Sequence, residues 1–138
     1  VITIKENDDR ISLGFYHCKY SSSPTAGARI EDLYAVCGQA QKSIHWREKV
    51  EDIFRHMQKR EPKHSGTLTS TRFEVGTREL LRTFQMKARN NPVDIEIFIV
   101  QPGVSKSLIS QPQLQLLSAT ENYLMTTYQL PFKAITSA

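Results

Sequence analysis

The chain has 138 residues, a size that fits one domain with one hydrophobic core. Hydrophobic residues make up 39% and charged residues 23%, which is typical of a soluble globular protein. No apolar run approaches the roughly 20 residues that cross a bilayer, so we expect no membrane partner. The formal net charge of +4 permits a nucleic-acid partner without requiring one.

The two cysteines, Cys18 and Cys37, are not linked by any spacing motif. This pattern indicates free thiols in a reducing compartment, so we expect a cytoplasmic protein. A zinc site would need more ligands nearby, and His17 with Cys18 is not a ligand-spaced pair. We predict that both cysteines are buried in the core.

The chain opens with the pattern of a β-hairpin. Val1–Lys5 is a short β-rich run, and Ile11–Lys19 alternates apolar and small or polar residues with a period of two. Between them, Glu6–Asp9 has turn chemistry, because Asn and Asp tolerate left-handed backbone conformations. His17 and Lys19 therefore lie on one face, at the end of the hairpin far from the turn.

A Ser-, Pro- and Gly-containing loop, Tyr20–Gly27, follows Lys19 and leads into two amphipathic helices. The predicted buried stripe of the first helix is Ile30, Leu33, Tyr34, Cys37, Ala40, Gln41 and Ile44. His45-Trp46 is expected to break or bend the helix, and the second helix is expected to bury Val50, Ile53, Phe54 and Met57.

Charged residues of both signs line the second helix, and the end of this run, Arg55 to His64, is predominantly basic. Lys59, Arg60 and Lys63 are candidate contacts to a phosphate backbone. The alternative is an ordinary solvated helix face, because charges of both signs are mixed along the helix.

The rest of the chain predicts a polar loop over Ser65–Thr71, a third helix capped by Thr77, and a twice-covered central strand over Val93–Gln101. Pro102-Gly103 is read as a turn that ends this strand, and Lys106 in the loop beyond it is either a phosphate contact or a surface lysine. A capping box at Ser110 starts a last helix, with Leu114, Leu117, Leu124 and Tyr128 on one face, and Phe132–Thr136 is a last strand. The order β-β-α-α-α-β-α-β predicts a three-layer α/β fold.

The hairpin, its terminal lysine, the loop and the amphipathic helix together resemble the PD-(D/E)xK nuclease superfamily, and especially its Mrr-like restriction branch. Lys19 matches the lysine of that family, whereas His17 stands where the family has Glu, Asp or Gln. The family's metal-binding Asp lies near the start of the first hairpin strand, and in this chain that position falls at or just before Val1. Asp8 and Asp9 are at the wrong end of the hairpin to replace it.

The resemblance implies a restriction-endonuclease-like core with a mixed sheet of about four strands and flanking helices. It further implies that residues 1–138 are a single such domain, a fragment or C-terminal domain that lacks its N-terminal strand and helix. Residues 46–90 are then a helical insert.

The resemblance also implies site chemistry. An Mg²⁺ ion would be held by the upstream Asp and a backbone carbonyl near Cys18, and Lys19 would position or activate the attacking water and stabilise charge on the phosphate. His17 would orient a water. Glu31 is a candidate helix-borne acid, and Gln39 or Gln41 resembles the helix glutamine of the RecB-like branch. The alternatives are a helix N-terminal acid and two surface glutamines.

Two functions follow as expectations. The first is metal-dependent phosphodiester hydrolysis of nucleic acid, with DNA favoured, by the nuclease domain of a bacterial restriction or antiphage defence protein. The second is a catalytically inactive nuclease-like domain used for docking to DNA, or to a helicase or other defence subunit. An Asp within the few residues upstream of Val1 in the parent gene would favour the nuclease.

Overall fold

A computed structural model describes residues 1–65 and 67–138, and these form an α/β fold with four α-helices, a four-stranded mixed sheet and a small hairpin. The strands are β1 (Ile2–Asn7), β2 (Arg10–Cys18), β3 (Pro62–Ser65), β4 (Leu68–Thr71), β5 (Val93–Ser105) and β6 (Phe132–Ser137). The helices are α1 (Glu31–Lys42), α2 (Val50–Arg60), α3 (Arg78–Lys87) and α4 (Gln111–Asn122). The predicted α/β class with a mixed sheet of four strands is confirmed.

The strand order of the larger sheet is β1-β2-β5-β6. The amide of Tyr16 donates to the carbonyl oxygen of Val1 at 2.8 Å and the nitrogen of Val1 donates back to Tyr16 at 2.9 Å, so β1 and β2 run antiparallel. The predicted turn is confirmed, because Asp8 has a φ of 51° between the two strands. Strand β6 pairs with β5 in parallel.

The chain divides into two compact units. The first contains residues 1–3, 13–45 and 95–138, and the second contains residues 4–12 and 46–94. Buried apolar side chains of the first unit are Leu13, Phe15, Leu33, Val36, Cys37, Ala40, Ile95, Ile97, Ile99, Val104, Leu124 and Leu130. Those of the second unit are Ile11, Ile53, Phe54 and Leu81.

In the first unit, helix α1 packs against α4. Val36 is buried in α1, whereas Tyr34 is 64% exposed, so the predicted stripe was wrong at Tyr34. In α4 the buried residues are Gln113 and Thr120, followed by Leu124 in a π-helical turn. Leu114, predicted to lie on the buried face, is 53% exposed.

Strand β5 lies between β2 and β6, which confirms the predicted central position. It does not end at Gln101 as predicted. It continues through Pro102-Gly103 to Ser105, and the register with β6 shifts between Gln101 and Ser105. Burial alternates along its first half, with one face buried and the other half-buried, so neither face of this part of the strand is fully exposed.

In the second unit, α2 packs against α3 and β3. Strands β3 and β4 form an antiparallel hairpin where a polar loop was predicted over Ser65–Thr71, and Gly66 of that prediction lies outside the described residues. The Thr77 cap is confirmed, because its side chain accepts a hydrogen bond from the Leu80 amide at 3.2 Å. Residues 46–90, predicted as a helical insert, thus contain this hairpin as well as two helices.

The predicted break at His45-Trp46 is confirmed. A single 3₁₀ turn, Ser43–Trp46, follows α1, and α2 does not begin until Val50. Among the described residues, no helix combines the length and the apolar character needed to cross a membrane.

Candidate functional site

Lys19 lies directly after the last residue of β2, beside the central strand. Its amide donates a hydrogen bond to the carbonyl oxygen of Val100 in β5 at 3.2 Å. Eight residues earlier the amide of Ile11 donates to Pro92 at 2.9 Å, so the two strands advance in the same direction and are parallel. Lys19 therefore lies at the carboxyl edge of two adjacent parallel strands, the place where open α/β sheets bind ligands.

His17 is half-buried on β2, two residues before Lys19 and on the same face of the strand. Its Nε2 lies 2.8 Å from the hydroxyl oxygen of Ser43, the residue that caps the C-terminus of α1. Burial lowers the pKa of the His17 imidazole. A neutral ring held by Ser43 suits a positioning role next to Lys19.

We expect the stability of the chain to fall as the pH decreases below about 6.5, the ordinary pKa of histidine. Because the pKa of His17 is lowered in the folded state, the unfolded chain binds more protons in this window, so the free energy of unfolding decreases with decreasing pH. Urea unfolding at a series of pH values measures this slope. His17→Gln removes the titration and should give a shallower slope, whereas exposed His64→Gln is the matched control. Equal slopes in wild type and His17→Gln would contradict the assignment.

The loop after Lys19 is anchored to α1 by Asp32. The Ser22 amide donates to Asp32 Oδ2 at 2.7 Å, and this hydrogen bond is the main reason that the pKa of Asp32 is lowered, with smaller effects from Lys19 and Arg29. Sequence reasoning selected its neighbour Glu31, which is exposed in the first turn of α1. Glu31 thus has the position of an ordinary helix N-terminal acid. Lys19 contributes to the lowered pKa of Asp32, the acid that follows Glu31.

The structure does not bring the predicted glutamines to His17 or Lys19. Gln39 is exposed and Gln41 is half-buried, and no hydrogen bond within residues 1–65 and 67–138 links either one to His17 or Lys19. Two other glutamines are fully buried instead, Gln101 on β5 and Gln113 on α4. Sequence reasoning missed Gln101, although it continues the alternation of Ile95, Ile97 and Ile99, and it assigned Gln113 only to the capping box at Ser110.

Gln101 and Gln113 organise the loops at this edge of the sheet. Oε1 of Gln101 accepts a hydrogen bond from the Gly103 amide at 2.7 Å, and its Nε2 is buried without a protein partner. Nε2 of Gln113 donates to the carbonyl oxygens of Gly27 at 2.8 Å and Arg29 at 2.9 Å. The backbone of the loop after Lys19 is therefore fixed by buried amide groups.

The predicted phosphate-binding residues are exposed, but they do not all belong to one unit. Lys59 and Arg60 end α2 and Lys63 lies on β3, all in the second unit. Lys106 follows β5 in the first unit, where its amide donates to the Ser137 carbonyl at 3.0 Å. Of the basic candidates, Lys106 shares a unit with Lys19.

The described residues do not make up a complete Mg²⁺ site. Among them, no group of three or more His, Cys, Asp or Glu side chains is placed to hold a metal ion. Asp32, whose pKa is lowered in part by the charge of Lys19, already accepts a hydrogen bond from the Ser22 amide.

The two cysteines differ in their surroundings. Cys37 is buried in α1 as predicted, and burial raises the pKa of its thiol. Cys18 is exposed at the end of β2, so the prediction that it is a core residue was wrong. Its side chain follows the alternation of β2 onto the face opposite His17.

The chain matched no protein-family model, no curated protein and no solved structure in the three comparisons. The interpretation of the site therefore rests on its own residues. These are Lys19 at the carboxyl edge of two parallel strands, His17 near the Ser43 hydroxyl two residues earlier, and the anchored loop that follows Lys19.

Proposed function

We propose that this chain acts on nucleic acid, with DNA favoured, as the nuclease-like domain of a bacterial restriction or antiphage defence protein. The observation that carries the proposal is the position of Lys19 at the carboxyl edge of β2 and β5. Its backbone amide donates a hydrogen bond to the Val100 carbonyl oxygen there. The resemblance to PD-(D/E)xK nucleases puts the lysine of those enzymes at the same end of the second hairpin strand. The proposed activity is hydrolysis of a phosphodiester bond.

In this proposal Lys19 contacts the phosphate group. The ammonium group of Lys19, a half-buried residue, attracts a phosphate oxygen and stabilises the negative charge that grows on it as water attacks the phosphorus and the ester oxygen leaves. His17, kept neutral by burial and held by Ser43, fixes the end of the strand that carries Lys19. The anchored loop after Lys19 supplies the adjoining surface.

The second candidate function is docking to nucleic acid, or to a helicase or other defence subunit, without hydrolysis. It is favoured by one observation: the carboxylate of Asp32, whose pKa is lowered mainly by the Ser22 hydrogen bond and in smaller part by Lys19, is already engaged by the Ser22 amide. A lysine without companion acids can bind a phosphate but has no partner to activate water.

The test uses the 138-residue chain with labelled DNA and RNA oligonucleotides, followed for both binding and cleavage, with added Mg²⁺ and with a chelator. Metal-dependent cleavage would support hydrolysis. Binding that weakens with salt, without cleavage, would support docking. An absence of binding to every oligonucleotide at low salt would contradict both candidates.

A further inference from the structure

Tyr20 is 94% exposed, and it directly follows Lys19. Its ring contributes almost nothing to the buried core, so folding does not explain an aromatic residue at this position. The ring also belongs to an ordered surface rather than to a free chain end, because the loop that carries it is fixed at several points.

Hydrogen bonds hold this loop on both sides. The Ser22 amide binds Asp32 in α1 at 2.7 Å, and the Gly27 amide donates to the Gly103 carbonyl at 3.1 Å. The buried Gln113 side chain holds the carbonyls of Gly27 and Arg29. Tyr20 is therefore presented to solvent from a backbone whose conformational entropy is already restricted, which favours binding through the ring.

The exposed residues of the loop that carries Tyr20 are mostly polar. Ser22, Pro24 and Thr25 are exposed in the same loop, and Lys19 precedes the ring. A protein-binding surface of this kind would need a cluster of apolar or aromatic groups around its anchor residue, which these neighbours do not provide. An exposed aromatic ring next to a cation in sequence has the composition of a surface that binds single-stranded nucleic acid.

We propose that Tyr20 stacks on an unpaired base adjacent to the phosphate that Lys19 contacts, and that single-stranded nucleic acid is the preferred ligand. The inference rests on the proposed function of Lys19. The two residues are adjacent, with Cα atoms about 3.8 Å apart, so ring and ammonium group reach base and phosphate within a few nucleotides. In a duplex the faces of the bases are covered by their neighbours, and the ring has no surface to stack on.

The test measures the fluorescence anisotropy of one labelled oligonucleotide, free as a single strand and paired in a duplex. Tyr20→Ala is expected to weaken single-strand binding by about 5- to 150-fold, the range that stacking on one base gives, and to leave duplex binding nearly unchanged. Tyr20→Phe keeps the ring and should retain single-strand binding. Lys19→Ala should weaken the binding of both ligands.

Tyr34→Ala is the matched control. Tyr34 is also an exposed tyrosine of the first unit, at 64%, but it lies two residues from Asp32 in α1, so it points about 200° around the helix from the side that holds the loop. Its replacement should leave binding to both ligands unchanged.

The outcomes separate the two proposals. Unchanged single-strand binding in Tyr20→Ala, with binding still weakened by Lys19→Ala, would overturn the stacking role and leave the proposed function standing. Equal losses on single strand and duplex would also overturn the preference for unpaired bases. No binding by the wild-type chain would overturn the proposed function itself.

Discussion

Replacing Lys19 by alanine is expected to reduce phosphodiester cleavage about 100-fold or more, because removal of one group that stabilises transition-state charge has an effect of this order. Lys19 is fixed at the carboxyl edge of β2 and β5 by the hydrogen bond that its backbone amide donates to the Val100 carbonyl oxygen. The hydrogen bond uses the backbone, which alanine retains, so the strand edge should stay intact. Initial cleavage rates under matched metal and salt conditions measure the effect.

Two further variants make the Lys19 result specific. Lys42→Ala removes an exposed lysine of the same unit, at the end of α1, and should change the rate only slightly. Lys19→Arg keeps the positive charge but replaces a compact ammonium group by a planar guanidinium, so partial activity is expected. If the chain binds without cleaving, Lys19→Ala should reduce the salt slope of binding by about one. Equal rates, or equal binding slopes, in wild type and Lys19→Ala would refute a phosphate contact at this residue.

Turns and helix caps were predictable because their chemistry is local. Asp8 takes the left-handed conformation that its side chain tolerates, and this fixes the hairpin whose far end carries His17 and Lys19. Ser110 and Gln113 form the capping box that their spacing predicts. These features depend on a few neighbouring residues, so their pattern is complete in the sequence.

The β3–β4 hairpin was not predictable from periodicity. Lys63 pairs with Ser70 and His64 pairs with Thr69, so polar residues occupy both faces of the ladder. A strand is recognised in sequence by alternation of apolar and polar residues, and the sequence of this hairpin lacks that alternation. Its backbone pairing and the bond between the side chains of His64 and Thr69, at 3.1 Å, hold it instead.

The site was predictable only as far as the strand pattern reaches. Alternation placed His17 and Lys19 on one face of β2, but the choice between the adjacent acids Glu31 and Asp32 depends on the rotation of α1 about its axis. That rotation is set by which residues are buried, and Val36 rather than Tyr34 joins the buried stripe. The sequence of α1 is compatible with either rotation, so tertiary packing decides which of the two acids lies near Lys19.

Replacing Gln113 by leucine is expected to destabilise the chain by about 3 kcal/mol, because each buried polar group left without a partner costs about 1–3 kcal/mol. Gln113 is fully buried. Besides its bonds to Gly27 and Arg29, its Oε1 accepts hydrogen bonds from the Ser110 amide at 2.9 Å and the Ser110 hydroxyl at 3.1 Å. Leucine has a similar volume and satisfies none of these groups. Urea unfolding followed by far-ultraviolet circular dichroism measures the loss.

Controls separate the loss of the loop anchor from the loss of the helix cap. Gln115→Leu makes the same change at an exposed position of α4 and should be nearly neutral. Ser110→Ala removes the cap and should cost about 1 kcal/mol, less than Gln113→Leu. Because Gln113 holds the loop that carries Tyr20, Gln113→Leu should also speed amide hydrogen exchange at Gly27, whose partner is Gly103. A loss equal to that of Ser110→Ala, with exchange at Gly27 unchanged, would mean that Gln113 serves only as a cap residue and does not anchor the loop beside Lys19.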